Sequence, residues 1–194
     1  MIYLVRHGET EFNRDRRLQG HVDSALTALG CRQAEAVGAR LKELVGGQPG
    51  WRIVASPLGR ARRTAEIIAE RVGLSQIEIE PRLIELSWGA WDGRLRGDLA
   101  AAYPDFARSN WAFHAPTGET YEAMCARLLE WLADLPDAEE RRVIAVSHGV
   151  TGRVLRGLYA GIPLENLMTH DAPQDAIFRL ADGEVRRIEC AVAA

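Results

Sequence analysis

The sequence predicts an α/β fold, a three-layer α/β/α sandwich around a mostly parallel sheet with a C-terminal hairpin. Three observations carry that expectation. Short apolar segments alternate with longer segments of helical spacing, as in chains that lay helices on both faces of a parallel sheet. Three of the apolar segments end in polar or charged residues, where such sheets bind ligands. Asp182-Gly183 separates the last two segments of strand character, a hairpin signal.

The elements follow in order. IYLVR, residues 2–6, is a short apolar strand. A polar loop is expected from there to Thr27, an N-cap for an Ala-rich helix that runs to Leu44 and stops at Gly46-Gly47. WRIVAS, 51–56, is the second strand, and Pro57 in a first helical turn opens a helix to Val72, with Gly73 as terminator. QIEIE, 76–80, alternates like a strand with one wet face. Residues 85–117 are irregular and rich in Gly, Trp and Pro, with a short helix over 96–103. A helix spans Thr120 to Leu135, and RVIAVS, 142–147, is continuously apolar, as expected of a central buried strand. Gly149 to Tyr159 is helical, and 175–180 and 184–190 form the hairpin.

Size and composition narrow the classes. A chain of 194 residues fits one domain, expected over 1–194. The net charge of −3 gives no global basic balance toward nucleic acid. Cys31, Cys125 and Cys190 are odd in number and widely spaced, which argues against a disulfide framework or a structural zinc site. No signal-like segment opens the chain and no run approaches a membrane span, so a cytoplasmic protein without a membrane partner is expected. Lys42 is the only lysine, so a fixed cation in a site is expected to be arginine, a permanently charged fork suited to phosphate or carboxylate.

Arg6-His7 follows the first strand, Ser56 through Arg60 the second, and Ser147-His148 the long central one. The topology gathers these at one rim. Two histidines, arginines and helix N-termini suit a dianionic phosphoryl group, because arginine forks bind its oxygens in pairs and helix amides add donors. Arg60, placed one turn into its helix, is expected to point back toward the strand end. Arg62 and Arg63 are expected on a solvated face or paired with Glu66. HExxH, GxSxG and GxxxxGK[ST] are absent, so nothing supports a zinc protease, a serine nucleophile of that kind or a P-loop. No metal and no cofactor is expected.

Arg6-His7-Gly8-Glu9-Thr10, with Asn13, Gln19-Gly20 and the LTALG of 26–30, resembles the signature of the histidine phosphatase superfamily, in its phosphoglycerate mutase-like branch. SPLGRARRTA at 56–65, PRLIELSWGAWDG at 81–93, PTGET at 116–120 and VSHG at 146–149 resemble that family's later motifs, in order and along most of the chain. The resemblance implies that His7 is the nucleophile and becomes phosphorylated. It implies that Arg6, Arg60 and His148 hold the phosphoryl oxygens, aided by the Gly149 amide, and that Glu85 is the acid and then the base. Asn13 matches a residue of the phosphate pocket, and Gln19 and Gly20 match the near wall where substrate is contacted. The implied substrate is a small phosphorylated metabolite.

Other residues have blander readings. Glu78 and Glu80 lie near Glu85, and only the motif selects Glu85. Trp88 and Trp91 suit either a substrate wall or the packing of a Gly-rich loop. His21 and Asp23 are expected at the surface, and His114 and His170 are expected to be structural. Trp111 and Phe113 suit a flap or a satellite cluster. A hydrolase and a mutase share the site chemistry. The short stretch between Gly93 and Gly118 favours a phosphatase, although Arg94, Arg96 and Arg108 lie there and Arg96 could hold a substrate carboxylate. A non-catalytic phospho-ligand binding module is the third reading. The edge of the hairpin could pair in a homodimer, though no residue pattern demands it.

Overall fold

The computed structural model describes residues 1–103 and 111–193. Six strands form one sheet: β1 (Ile2–Arg6), β2 (Arg52–Ala55), β3 (Ile77–Ile79), β4 (Val143–Ser147), β5 (Ala176–Ala181) and β6 (Glu184–Glu189), in the order β3-β2-β4-β1-β5-β6. β3, β2, β4 and β1 are parallel, while β5 runs antiparallel to β1 and turns through Asp182-Gly183 into β6. Both turn residues have positive φ, 56° and 75°, as an Asp-Gly hairpin requires.

The helices are α1 (Glu11–Arg14), α2 (Ala28–Val45), α3 (Gly59–Val72), α4 (Arg96–Ala102), α5 (Tyr121–Ala133), α6 (Gly149–Ala160) and α7 (Leu164–Leu167). Period-two alternation in β1 feeds two cores. Tyr3 and Val5 face Val37, Leu41 and Ile68 of α2 and α3. Ile2 and Leu4 join Leu128 of α5 and Val154 and Leu155 of α6 on the other face. Every residue of β4 is buried, as its unbroken apolar run requires at the middle of a sheet covered on both sides.

Two expectations are corrected. The polar loop after β1 contains a four-residue helix, α1, nucleated by a capping box: Thr10 accepts from Asn13 N, and Asn13 Oδ1 accepts from Thr10 N. Four residues with Phe12 as the single apolar one carry no apolar period, so only the cap signalled this helix. The helix after β2 begins at Gly59 rather than Pro57, with Leu58 at the N-cap, so Arg60 is its second residue and not one turn in. Arg108 lies outside the described residues.

The chain leaving β1 touches α2 directly. A Cβ on Gly30 would stand 2.0 Å from Glu9 O, and one on Gly8 would stand 2.2 Å from Gly30 O. Backbone meets backbone here, so neither side can yield cheaply. Gly30→Ala is therefore expected to cost about 1–3 kcal/mol, the usual range for overpacking. A thermal midpoint equal to that of wild type would contradict this close contact.

Candidate active site

Parallel order places the carboxyl ends of β1, β2 and β4 side by side, and Arg6 pairs in register with Ser147. His7 N continues the ladder to Ser147 O at 3.0 Å. His7 and His148 thus leave adjacent strands, and their rings meet edge-on with centroids 5.1 Å apart. Both are buried.

The His7 ring is fixed from two sides. Nδ1 lies 2.8 Å from Gly8 O, which can only accept, so Nδ1 carries the proton. Nε2 lies 3.3 Å from Arg60 Nε, which can only donate, so Nε2 presents its lone pair. Burial, then the charges of Arg60 and Arg6, hold His7 well below the ordinary histidine value, against a smaller upward pull from the Gly8 hydrogen bond. His148 is lowered well below that value too, by burial first and then by the charges of Arg60, His7 and Arg6. His148 Nε2 is 2.6 Å from Ser56 Oγ, which itself accepts from Leu58 N at 3.4 Å. When the Ser56 hydroxyl donates to Nε2, the ring proton sits on Nδ1.

Two polar atoms of this cluster, Arg6 Nε and His148 Nδ1, are buried with no hydrogen-bond partner. Unsatisfied buried donors are rare in folded proteins, because leaving one unmade costs about 1–3 kcal/mol. Arg6 is otherwise held by Ala172 O, 2.6 Å from Nη1. Burial lowers it to about 10, which leaves it charged at neutral pH.

Arg60 is enclosed by the loop after α1. Gly20 O accepts from Nη2 at 2.8 Å, and Val22 O and Asp23 Oδ1 accept from Nη1 at 3.0 Å each. Asp23 also accepts from Arg60 N at 3.3 Å, near the start of α3. Asp23 and His21 are exposed, as expected, yet each also makes a contact that shapes the site. Asp23 is the counterion of a buried guanidinium, and His21 Nε2 lies 2.9 Å from Glu85 O. No local pattern exposes these contacts, since they join residues 37 and 64 positions apart. Gly20 itself, at φ +53°, approaches Asp92 so closely that a Cβ would stand 1.8 Å from Oδ1.

Glu85 reaches the start of α6. Its Oε1 accepts from Leu86 N at 2.9 Å and from Thr151 N at 3.1 Å, and Oε2 accepts from Val150 N at 3.3 Å, while the Thr151 hydroxyl donates to Ile84 O at 2.7 Å. The helix N-terminus thus holds a carboxylate. Glu78 and Glu80 are turned elsewhere, paired with Arg52 and Arg82.

A cavity of about 880 Å³ opens over these groups, lined by Arg6, His7, Asn13, Gln19, Gly20, Arg60, Glu85 and Gly149 among others. His148 is buried and does not line it. Gln19 serves the wall through structure: its amide donates to Thr10 Oγ1 at 2.8 Å and accepts from Ser24 Oγ at 3.1 Å. Arg16, Arg17, Arg96, Arg153 and Gln174 also line the cavity. Of these only Arg96 was picked out from sequence. Arg153, one helical turn beyond Gly149, could have been found from that i,i+4 spacing. Trp88 lines the cavity and stacks on Trp111 at 4.9 Å, whereas Trp91 is buried in the core. Arg63 pairs with Glu66 at 3.0 Å on the surface. Among the described residues no group of three or more His, Cys, Asp or Glu could hold a metal ion, and no helix is long and apolar enough to cross a membrane.

Residues 2–186 match the model of the histidine phosphatase superfamily, branch 1. The chain is 40% identical over 167 residues to a protein of Erwinia tasmaniensis named "Probable phosphoglycerate mutase GpmB", covering 84% of this chain and 75% of that one. Among solved structures, the alpha-ribazole phosphatase of Shigella flexneri superposes with a TM-score of 0.77 at 27% identity, over 97% of this chain and 95% of its own. A mycobacterial glucosyl-3-phosphoglycerate phosphatase gives 0.75 at 28%, over 97% and 96%.

The lowered values of His7 and His148 set a testable sign. Below about pH 6.5 the unfolded chain takes up protons on these rings before the folded one does. Stability from this source is complete above that pH and is lost as pH falls. Nitrogen spectra of ¹⁵N-histidine protein, assigned with His7→Asn and His148→Asn, should show both rings neutral at about pH 5.5, with His7 protonated on Nδ1. An imidazolium signal from His7 at that pH would refute the assignment.

Proposed function

Because the chain belongs to the histidine phosphatase superfamily, branch 1, we propose that it is a phosphatase of small phosphate monoesters that works without metal through a phosphohistidine on His7. The observation that carries the reading is the pair of unpartnered buried donors, Arg6 Nε and His148 Nδ1, beside a neutral ring whose Nε2 lone pair faces the same space. A phosphoryl group set there would accept hydrogen bonds from both.

In the first step His7 Nε2 attacks phosphorus, the N–P bond forms and the P–O bond to the leaving group breaks. A proton that the ester brings as its monoanion passes to the Glu85 carboxylate, which gives it to the departing oxygen. The Arg60 Nε–H that covers the His7 lone pair in the free site moves to a phosphoryl oxygen, so one donor guards the nucleophile and then stabilises what it attacks. Arg6 and His148 hold the remaining charge, which in phosphoryl transfer is most of what a protein must do. The Gly8 carbonyl supports the positive ring that results. In the second step Glu85 takes a proton from water, the oxygen attacks phosphorus, the N–P bond breaks and His7 returns to neutral. Splitting the displacement in two lowers each barrier.

Phosphate release from p-nitrophenyl phosphate and a panel of small phosphate monoesters, run in EDTA, tests this. Wild type should turn over, His7→Ala should not, and Glu85→Gln should lose about 10²–10⁴-fold with esters of poor leaving groups. Turnover surviving in His7→Ala would sink the mechanism.

A mutase-type transfer is the second reading. It is supported by the name of the 40% identical relative and by Arg16, Arg96 and Arg153 on the cavity wall, which suit a substrate that carries a carboxylate besides its phosphate. On this reading 3-phosphoglycerate is isomerised faster than it is hydrolysed, and Arg96→Ala raises KM for it about tenfold, the loss of one charge-assisted hydrogen bond. Phosphate release outpacing isomerisation would discard it.

A further inference from the structure

The segment between α7 and β5 is bound over the site by its own backbone. Three successive carbonyls accept from three arginines: His170 O from Arg153 Nε at 2.6 Å, Asp171 O from Arg156 Nη2 at 2.5 Å, and Ala172 O from Arg6 Nη1 at 2.6 Å. Two residues further on, Gln174 Nε2 donates to His7 O at 3.2 Å and to Asn13 Oδ1 at 2.9 Å. Both of its protons are then used.

The orientation of these amides is decided by the backbone. Thr10 N can only donate, and it lies 3.3 Å from Asn13 Oδ1. Asn13 therefore turns its oxygen toward Thr10 and Gln174, and Gln174 must turn its nitrogen toward Asn13. The remaining group of Asn13, Nδ2, has no acceptor among the described residues, and Asn13 lines the cavity. Gln174 is thus hydrogen-bonded both to the backbone of His7 and to an amide that lines the cavity.

We propose that Gln174 is a positioning residue: it locks the Asn13 amide so that Nδ2 points N–H donors at the bound phosphoryl group, in register with His7. The proposal rests on the phosphatase reading for the identity of the ligand, but its geometry concerns anion binding and does not depend on turnover. Nothing in local sequence marks Gln174, which lies 161 positions from Asn13. Its link to α1 also explains why a helix of only four residues forms beside the site. The capping box fixes Asn13 to Thr10, and Gln174 fixes that pair to the end of β1.

A double-mutant cycle tests it, with kcat and KM for a small phosphate monoester and, separately, calorimetric binding of inorganic phosphate. Gln174→Ala should lower kcat/KM about 10- to 100-fold, the scale of a displaced positioning group, and should weaken phosphate binding while the thermal midpoint stays near wild type. Gln174→Glu keeps the shape but sets a carboxylate against two acceptor oxygens, so it should lose at least as much. In an Asn13→Ala background, Gln174→Ala should change either quantity by no more than about twofold, since its effect is expressed through Asn13. Full additivity of the two losses, or phosphate affinity in Gln174→Glu equal to wild type, would overturn the proposal. If wild type binds phosphate with this coupling but hydrolyses no ester, the positioning role stands and the phosphatase reading falls.

Discussion

A guanidinium with 2% of its surface exposed must be wrapped in oxygen, and Arg60 takes those oxygens from the loop at residues 20–23. Desolvating an unpaired charge would cost several kcal/mol, so the loop has little freedom while Arg60 stays buried. The consequence spreads. With the loop fixed, His21 reaches the backbone of Glu85 and Asp92 backs Gly20. Burial raises Asp92 from the usual aspartate value, against the hydrogen bonds it accepts from Trp88 N and His21 N. The same Arg60 touches His7 Nε2. One buried cation therefore sets the near wall, the ring state of the nucleophile candidate and the seat of the acid candidate.

Charge at the rim is deliberately unbalanced. Arg6, Arg60 and Arg153 all feel the Glu85 carboxylate, which raises each of them against the downward pull of burial. Glu85 is common to all three, while Asp23 also pairs with Arg60 and Asp171 also raises Arg153; Glu85 is further engaged by the amides at the start of α6. Burial first, and then the nearby arginine charges, lower both histidines, and Arg6 Nε and His148 Nδ1 stay without partners. Such a site is preorganised for an anion: its dipoles and charges are in place before the ligand arrives, so little reorganisation is needed at the reaction. The backbone carbonyls of 170–172 complete the arrangement by holding two of those cations at fixed angles.

Most strand limits and the hairpin were legible because period-two alternation, an unbroken apolar run and Asp-Gly are local signals. Helix limits were legible where a cap marked them, as at Thr27 and Gly73. The start of α3 was misread because Pro57 is equally at home just before a helix. The five residues singled out as catalytic, Arg6, His7, Arg60, Glu85 and His148, do lie together, and the ordered motifs made that grouping visible. Asp23, His21, Arg153 and Gln174 were passed over or assigned to the surface, since each acts through a contact that its own sequence neighbourhood does not encode.

By itself, the sequence determined the α/β class, the strand ends that converge and the residue types gathered there, because apolar periodicity and residue type are properties of short stretches. Tertiary structure alone decided which nitrogen of His7 carries the proton, which donors stay unpaired and which residues hold the site in shape. Those properties depend on partners brought within 3 Å or so by folding, and a hydrogen bond between residues 7 and 174 leaves no trace in either neighbourhood.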